Sequence, residues 1–410
     1  EIWAASSIKK LLNKLQIKDY KTTPKSDQPQ LSKHYLKTHK NHFVRLIAKA
    51  REFDKAKNTF IEGLLKFVHN GRIHADINQI RGGTESGIVG TITGRFSMSN
   101  PNLQQIPAKG FIGKKMRELF IPEEGHLWGS FDYSQQEPRI VVHYALKLGM
   151  RGTKEVAESY KNNPSADFHK IVADMAHIPR ITAKTINLGL FYGMGKNRLA
   201  NQLNLDYKEA TELFNTYHNK VPFIKQLSTD LQEFARRNKF LYTLEDRFCR
   251  FNKWETMNKR WNPKEKKYMV SVIETGQDEE GKEIKKSVEK PVPLLSKEEA
   301  ILHYKSDLSD MGYPSDTECV NFENHYQPAF IYRALNKLVQ GSAADMTKKA
   351  MVNLYEKGIL PHIQIHDELC ISIKNEEEGN TIKTIMEKAI PLEVPNKVDY
   401  ESGPNWGKLN

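Results

Sequence analysis

Cysteine is scarce in this 410-residue chain: Cys249, Cys319 and Cys370 occur with no Cys-x-x-Cys spacing, which argues against a disulfide framework and a structural zinc site and fits a reducing compartment. No apolar run reaches the length of a membrane span. With 39% hydrophobic residues the chain can instead bury a sizeable core, divided over several subdomains. No internal repeat is present. No secretory or transit segment precedes Ile2, although the abrupt start reads as a fragment of a longer polypeptide. Acidic residues are in deficit: 50 Asp and Glu against 62 Lys and Arg leave a formal charge of +12 and a pI near 9.2. That balance is the electrostatic footprint of a nucleic-acid binder, and equally of a plain solvated basic surface.

Ser6 and Ser7 stand ahead of Ile8, Leu11, Leu12 and Leu15, a spacing that predicts a capped amphipathic helix, and Lys18 to Pro29 reads as a polar loop. A second helical stretch carries Phe43, Leu46, Ile47, Ala50, Phe53, Phe60, Ile61, Leu64 and Leu65 beside Lys49, Lys55 and Lys57. It suits a basic arm along a duplex backbone or a packed helix pair with a solvated face. From Gly71 to Gly94 the pattern turns glycine-rich and extended, which sets a boundary nearby. A charged stretch from about Asn252 to Gln327 differs in character, and its Tyr268 to Val272 segment is expected to pair with Ile284 to Val288 as an exposed hairpin.

Two acidic segments carry the chemistry. Leu127 to Asp132 predicts a strand ending at a carboxylate, and Pro138 suits the first turn of a helix through Ile140, Val141, Val142, Tyr144 and Ala145, so Asp132 would project into a cleft. Ile365-His366-Asp367-Glu368 ends a second apolar run far along the chain. Neither has the continuous ligand spacing of a calcium loop, whereas magnesium is commonly held by one or two carboxylates with water and phosphate completing its shell. Between them, Arg180, Lys184, Leu188 and Tyr192 follow Pro179 at steps of four and lie on one helical stripe. Two cations a turn apart can grip successive phosphates, and the aromatic can stack on a base. The bland counterparts are turn caps for the aspartates and an ordinary surface stripe for the helix.

Together these segments resemble the polymerase region of family A DNA polymerases: Asp132-Tyr133-Ser134-Gln135-Gln136-Glu137-Pro138-Arg139 as motif A, Arg180 to Gly193 as motif B and His366-Asp367-Glu368 as motif C. Thr93-Gly94-Arg95-Phe96-Ser97, Pro101 to Pro107 and Gln340 to Asp345 add matches in order. The resemblance implies an α+β right-hand polymerase fold with an antiparallel-sheet palm and mainly helical thumb and fingers. Residues 1–75 would form the thumb and start of the palm, 76–140 the first part of the palm, 141–328 the fingers with a charged insertion at about 252–327, and 329–410 the second part of the palm.

The resemblance further implies two Mg2+ ions, with Mn2+ as a substitute, on Asp132, Asp367 and the Tyr133 carbonyl, with Glu368 assisting and Lys184 acting at the leaving group. Arg180, Lys184, His169, Glu137, Leu188, Tyr192 and Gln135 would surround the dNTP, Glu137 as the gate against a ribose 2′-hydroxyl. Arg95, Asn102, Gln104, Lys109, Arg139, Asn336, Gln340 and His366 would meet primer–template DNA. The implied partners are that DNA and dNTPs, with replication accessory proteins unspecified, no membrane, and a monomeric chain. Departures include Leu188 where bacterial relatives carry an aromatic, Gln136 and Pro138 in motif A, and Lys109 where arginine is common. The short interval from His169 to Lys184 is phage-like and implies a replicative enzyme in the cytoplasm of an infected bacterium, an organellar enzyme being the alternative. No Asp-x-Glu exonuclease segment precedes the motifs. A single-subunit RNA polymerase and a non-catalytic DNA-binding module are the competing readings; Glu137 and Gln340-Gly341 favour DNA synthesis.

Overall fold

The computed structural model describes residues 2–409 apart from 24–25, 85–86, 192–193, 263–264, 266, 278–282 and 311–321. Near the N-terminus α1 (Ala5–Lys14), α2 (Lys33–Thr38) and α3 (His42–Lys55) pack around Ile8, Leu12, Leu36, Val44 and Ile47. Ser6 and Ser7 lie inside α1 rather than capping it, because the helix begins one residue earlier, after Ala4. Ser32 and Asn41 cap the next two helices by accepting from the Tyr35 and Phe43 amides. Lys21–Thr22 pairs with Pro29–Gln30, so the expected polar loop contains a small hairpin. α3 continues through a π-helical turn, Ala56–Ile61, into Glu62–Leu65, as its long apolar pattern requires.

The glycine-rich stretch is extended, with Asp76–Asn78 paired to Ser97–Ser99. After α4 (Gly110–Arg117) comes β1 (Leu127–Tyr133), followed by α5 (Gln136–Lys147), which includes Pro138 in its first turn. A helical block then runs through α6 (Thr153–Asn162), α7 (Phe168–Ala176), α8 (Arg180–Phe191), α9 (Lys196–Leu203), α10 (Tyr207–Lys220) and α11 (Pro222–Asn238). It ends in a hairpin of β2 (Phe240–Tyr242) and β3 (Phe248–Arg250).

The charged stretch is a side excursion closed at its base, where β4 (Trp254–Thr256) will meet a returning strand. It contains β5 (Arg260–Asn262), β6 (Lys267–Gln277), β7 (Glu283–Pro291) and α12 (Lys297–Asp310). The returning strand β8 (Tyr326–Pro328) pairs Thr256 with Tyr326 and Trp254 with Pro328. The expected hairpin is present, with Val272 opposite Val288. Trp254, Leu295, Ala300, Tyr304, Phe322 and Tyr326 give this excursion a core of its own.

The chain then returns through α13 (Ala334–Tyr355), β9 (Ile363–Ile365), β10 (Glu368–Ile373), α14 (Glu376–Glu387) and β11 (Val398–Gly403). Four antiparallel strands assemble in the order β9-β10-β1-β11, so β1 sits inside the sheet although it enters first. Phe131 of β1 stacks on Tyr400 at 4.8 Å, and Trp128 on Trp406 at 5.8 Å. One large apolar cluster joins the sheet, through Phe131, Leu369 and Ile371, to Ile140, Phe168, Phe191, Tyr217 and Val339 of the helices. The architecture is α+β, as the sequence implies. Among the described residues no helix is long and apolar enough to cross a membrane.

Candidate active site

The sheet brings the two acidic segments together. β1 and β10 run antiparallel with Asp132 opposite Glu368, and β11 places Asp399 on the other side of Asp132. His366 and Asp367 form the two-residue turn between β9 and β10, with His366 at φ 56°, in the left-handed region that such tight turns demand. The Tyr133 amide donates to the Asp367 carbonyl at 3.3 Å, which fixes that turn against the end of β1. Asp132 is exposed at the end of β1, yet protein atoms crowd it. Burial pushes its carboxyl up to about 7, aided by Asp367, Glu368, Asp399 and Glu401 in that order. Asp367 is raised as well, again chiefly by burial. Glu368 is turned toward the sheet, where its Oε1 accepts from Ser130 Oγ at 2.6 Å and Trp406 Nε1 at 3.2 Å.

α8 is divided by its 3.6-residue period. Ala183, Ile186, Asn187 and Phe191 are buried, while Arg180, Ile181, Lys184 and Leu188 are exposed on the opposite side. Pro179 stands just before the helix and its carbonyl accepts from Ala183 at 3.0 Å. Asp167, which caps α7 through the His169 and Lys170 amides, also receives the Arg180 Nε at 2.8 Å, so the helix start and the cation are anchored by one carboxylate. His169 is buried beside them, its Nδ1 3.0 Å from the Asn187 amide nitrogen. Burial lowers its pKa, with Lys184 and Arg180 adding to the effect against the pull of Asp167, so the ring is neutral near pH 7. Tyr192 and Gly193 lie outside the described residues.

One expected contact needs correction, and a second residue has protein partners of its own. Arg139 is buried to 1% exposure, and its guanidinium donates to the carbonyls of Ser134 at 2.8 Å, Pro395 at 2.5 Å and Pro164 at 2.6 Å over the Tyr160 ring. It is a structural clamp and cannot reach DNA. Gln135, expected at the nucleotide, donates to the Ala166 carbonyl at 3.0 Å and accepts from the Phe168 amide at 2.7 Å, which locks the turn between β1 and α5 onto α7. Its carbonyl oxygen also lies 3.3 Å from the Tyr160 hydroxyl, so the side chain is held by protein groups.

The other residues expected at DNA lie on several different elements. Arg95 forms an ion pair with Glu137 at 2.6 Å, and both act electrostatically on Asp367. Asn102 caps Leu103–Gln105, and Gln104 donates to the Gln364 carbonyl at 3.2 Å, joining that loop to β9. His366 is exposed at the turn, and Asn336 and Gln340 are half-buried one turn apart on α13. Lys109 is exposed beside a cleft bordered by Trp3, Arg51 and Lys55, on the side of the N-terminal helices.

Sequence reasoning passes over several groups here. Asp399 and Glu401 alternate along β11 and face Asp132 and Ser130 across the ladder. The period-two pattern of acids was the available signal, but only the register joins them to Asp132. Arg247, in the turn between β2 and β3, donates from Nε to Asp345 at 3.0 Å and from its terminal nitrogen to the Thr93 and Gly341 carbonyls at 2.9 and 3.0 Å. One side chain thereby ties the loop carrying Arg95 to the helix carrying Gln340. Gly94 (φ 84°) sits so close that a Cβ there would meet this guanidinium at 2.7 Å.

The sequence profile of DNA polymerase family A matches residues 4–273 and 316–408. The chain is 30% identical to a DNA-directed DNA polymerase of Pseudomonas phage M6 over 99% of its own length and 57% of the relative's. It is 30% identical to DNA polymerase I of Caldicellulosiruptor bescii over 90% of its length and 36% of that protein. Its fold matches a POL domain from M. smegmatis, solved in complex with DNA primer-template and dNTP, with a TM-score of 0.67, 23% identity, and coverage of 99% of this chain and 61% of the other. The chain thus spans little more than half the length of the phage relative.

Proposed function

The chain belongs to DNA polymerase family A and has its right-hand polymerase fold; from that premise we propose that it extends a DNA primer on a template, joining the 3′-hydroxyl to the α-phosphate of an incoming dNTP and releasing pyrophosphate, in phage DNA replication. The observation that carries this reading is the meeting of Asp132 and Asp367 at one end of the sheet, held by the bond from the Tyr133 amide to the Asp367 carbonyl. Residues 1–75 would serve as thumb, 76–140 and 329–410 as palm and 141–328 as fingers.

The donor set fits divalent magnesium. Asp367 opposes the ionisation of Asp132, a repulsion that a cation relieves. Among the described residues no group of three or more His, Cys, Asp or Glu side chains is arranged to hold a metal ion; magnesium is commonly held by only one or two carboxylates, and the Tyr133 carbonyl, water and phosphate oxygens would complete its shell. Two such ions, when bound, supply activation of the primer hydroxyl and charge stabilisation at the leaving pyrophosphate.

The remaining work belongs to the chain's own groups, because phosphoryl transfer is governed by positioning and charge. Arg180, oriented by Asp167, and Lys184 one turn later offer a cationic rail to the triphosphate. Neutral His169 supplies a donor rather than a charge there. Glu137, held by Arg95, would act as the gate against a ribose 2′-hydroxyl. Asn336, Gln340, Gln104 and His366 would read minor-groove acceptors that all base pairs share.

The experiment is extension of a labelled primer with magnesium, offering deoxy-, dideoxy- and ribonucleotides in parallel, for the wild type and Asp132→Asn. Extension with dNTPs, lost in Asp132→Asn while duplex affinity is retained, supports the reading. Extension by Asp132→Asn at the wild-type rate would sink it.

A further inference from the structure

The β2–β3 hairpin buries Leu241 and Cys249 with Phe251 against Ile331, Ala334 and Leu338. Strand alternation then turns Phe240, Tyr242, Phe248 and Arg250 outward together, since Phe240 opposes Arg250 and Tyr242 opposes Phe248. A strand face that met only water would carry polar side chains. Here three rings touch one another: the Phe240 centroid is 5.1 Å from both Tyr242 and Phe248, which are 4.8 Å apart. Tyr242 and Phe248 are nevertheless 43% and 42% exposed. Phe234 of α11, also exposed, extends the patch, its ring 6.4 Å from Phe240.

Cations interleave with these rings. The Arg250 guanidinium lies 5.1 Å over Phe248, and Arg237, three residues after Phe234 and so on the same side of the helix, is exposed. The nearby acids Glu233 and Glu245 are partnered by Arg237 and Lys349. The hairpin is also tied to elements of the proposed DNA cleft. The hairpin's turn is fastened to the Arg95 loop and α13 through Arg247, and Lys337, next to Asn336, donates to the Arg250 carbonyl at 2.7 Å.

We propose that this outer hairpin face holds the unpaired template strand beside the cleft, bases stacking on Tyr242 and Phe248 and phosphates meeting Arg250. The proposal rests on the polymerase reading above and adds a single-strand subsite to it. Flat rings alternating with guanidinium groups suit single-stranded nucleic acid without regard to sequence, because every base has a π-face and every linkage a charge. Isolated exposed rings need no explanation, but a contiguous cluster marks a surface that something covers.

The test compares binding of a labelled primer–template bearing a template overhang of about ten nucleotides with binding of the blunt duplex, by fluorescence anisotropy. The wild type should favour the overhang substrate. Tyr242→Ala/Phe248→Ala should weaken binding of that substrate about tenfold and leave the blunt duplex unchanged, and Tyr242→Trp/Phe248→Trp should retain the preference. A double-alanine variant that keeps the wild-type preference, or a wild type indifferent to the overhang, overturns the proposal. So does a variant altered only in self-association, which would make the face a protein interface. Primer extension by the wild type is scored separately, so a failed polymerase reading is told apart from a failed subsite.

Discussion

Replacing Arg247 by alanine should cost about 3 kcal/mol of stability, and the structure says where that cost arises. The Asp345 carboxylate is 5% exposed and faces the Arg247 Nε at 3.0 Å; its other contact is the Glu245 amide at 3.5 Å. Removing one member of a buried pair leaves a charge in a poor solvent, at about 3–5 kcal/mol. Because Arg247 is itself one-third exposed and water can enter, the lower end applies. Asp345→Asn alone should cost about 1–2 kcal/mol, since the amide still accepts a hydrogen bond. The double variant Arg247→Ala/Asp345→Asn has no orphaned charge, so its loss should fall short of the sum by about 1–2 kcal/mol. Gly94 supplies an independent arm. In the wild-type background Gly94→Ala suffers both a left-handed φ of 84° and a Cβ 2.7 Å from the guanidinium, whereas in Arg247→Ala only the conformational strain of about 1–2 kcal/mol remains. Urea unfolding followed by tryptophan fluorescence measures all of these. Strict additivity of Arg247→Ala with both partners, within about 0.5 kcal/mol, would refute the hub.

Acidification should destabilise the chain through His218, which is 7% exposed, has no hydrogen bond at either ring nitrogen among the described residues, and packs 4.3 Å from Phe214. Burial, with Lys225 and Lys196, holds its pKa down to about 4. The unfolded chain titrates near 6.5 and so binds the extra proton, and about 3 kcal/mol of stability drains away as pH falls from about 6.5 to 4. His218→Phe should show a shallower loss across that window, and parallel curves for the two proteins would discard the argument. The charged excursion should be dispensable for folding: the Met257 amide donates to the His325 carbonyl at 2.7 Å, so Asn-Gly in place of residues 258–324 closes the ladder in register. The shortened chain is expected to unfold within about 1 kcal/mol of the parent and to extend primers; failure to fold would mean that the separate core around Trp254 and Tyr326 supports the rest.

The acidic pair is legible in the sequence because each aspartate ends an apolar strand pattern, and such ends open onto a cleft when the strands pair. The exposed stripe of α8 is legible for the same local reason, since a 3.6-residue period sorts Lys184 from Ile186 without reference to any other segment. The hairpin at Val272 and Val288 follows from alternation around a turn. What the pattern does not carry is the destination of a long polar side chain. Arg139 and Arg180 both lie in first turns of amphipathic helices, and both look like phosphate ligands. One meets carbonyls of Ser134, Pro164 and Pro395 and is sealed by Tyr160; the other stays half exposed beside Asp167. The difference is made by the loop at Pro395, hundreds of positions away, which closes over Arg139 only once β11 has docked on β1.

The same tertiary step decides which acids matter. Asp399 in isolation is one charge on an exposed edge strand, with Lys397 at 2.5 Å as an adequate partner. Docked opposite Asp132 it becomes part of the field that keeps that carboxyl protonated far above its usual range. Cooperation between remote carboxylates is therefore a property of sheet register, and a one-residue slip of β11 would turn Asp399 and Glu401 to the opposite face. Tyr400, stacked on Phe131 at 4.8 Å with the rings nearly parallel, opposes that slip, because moving it would break an aromatic contact buried in the main core. An aromatic residue between two acids thus helps to hold the register on which the electrostatics of the site depend.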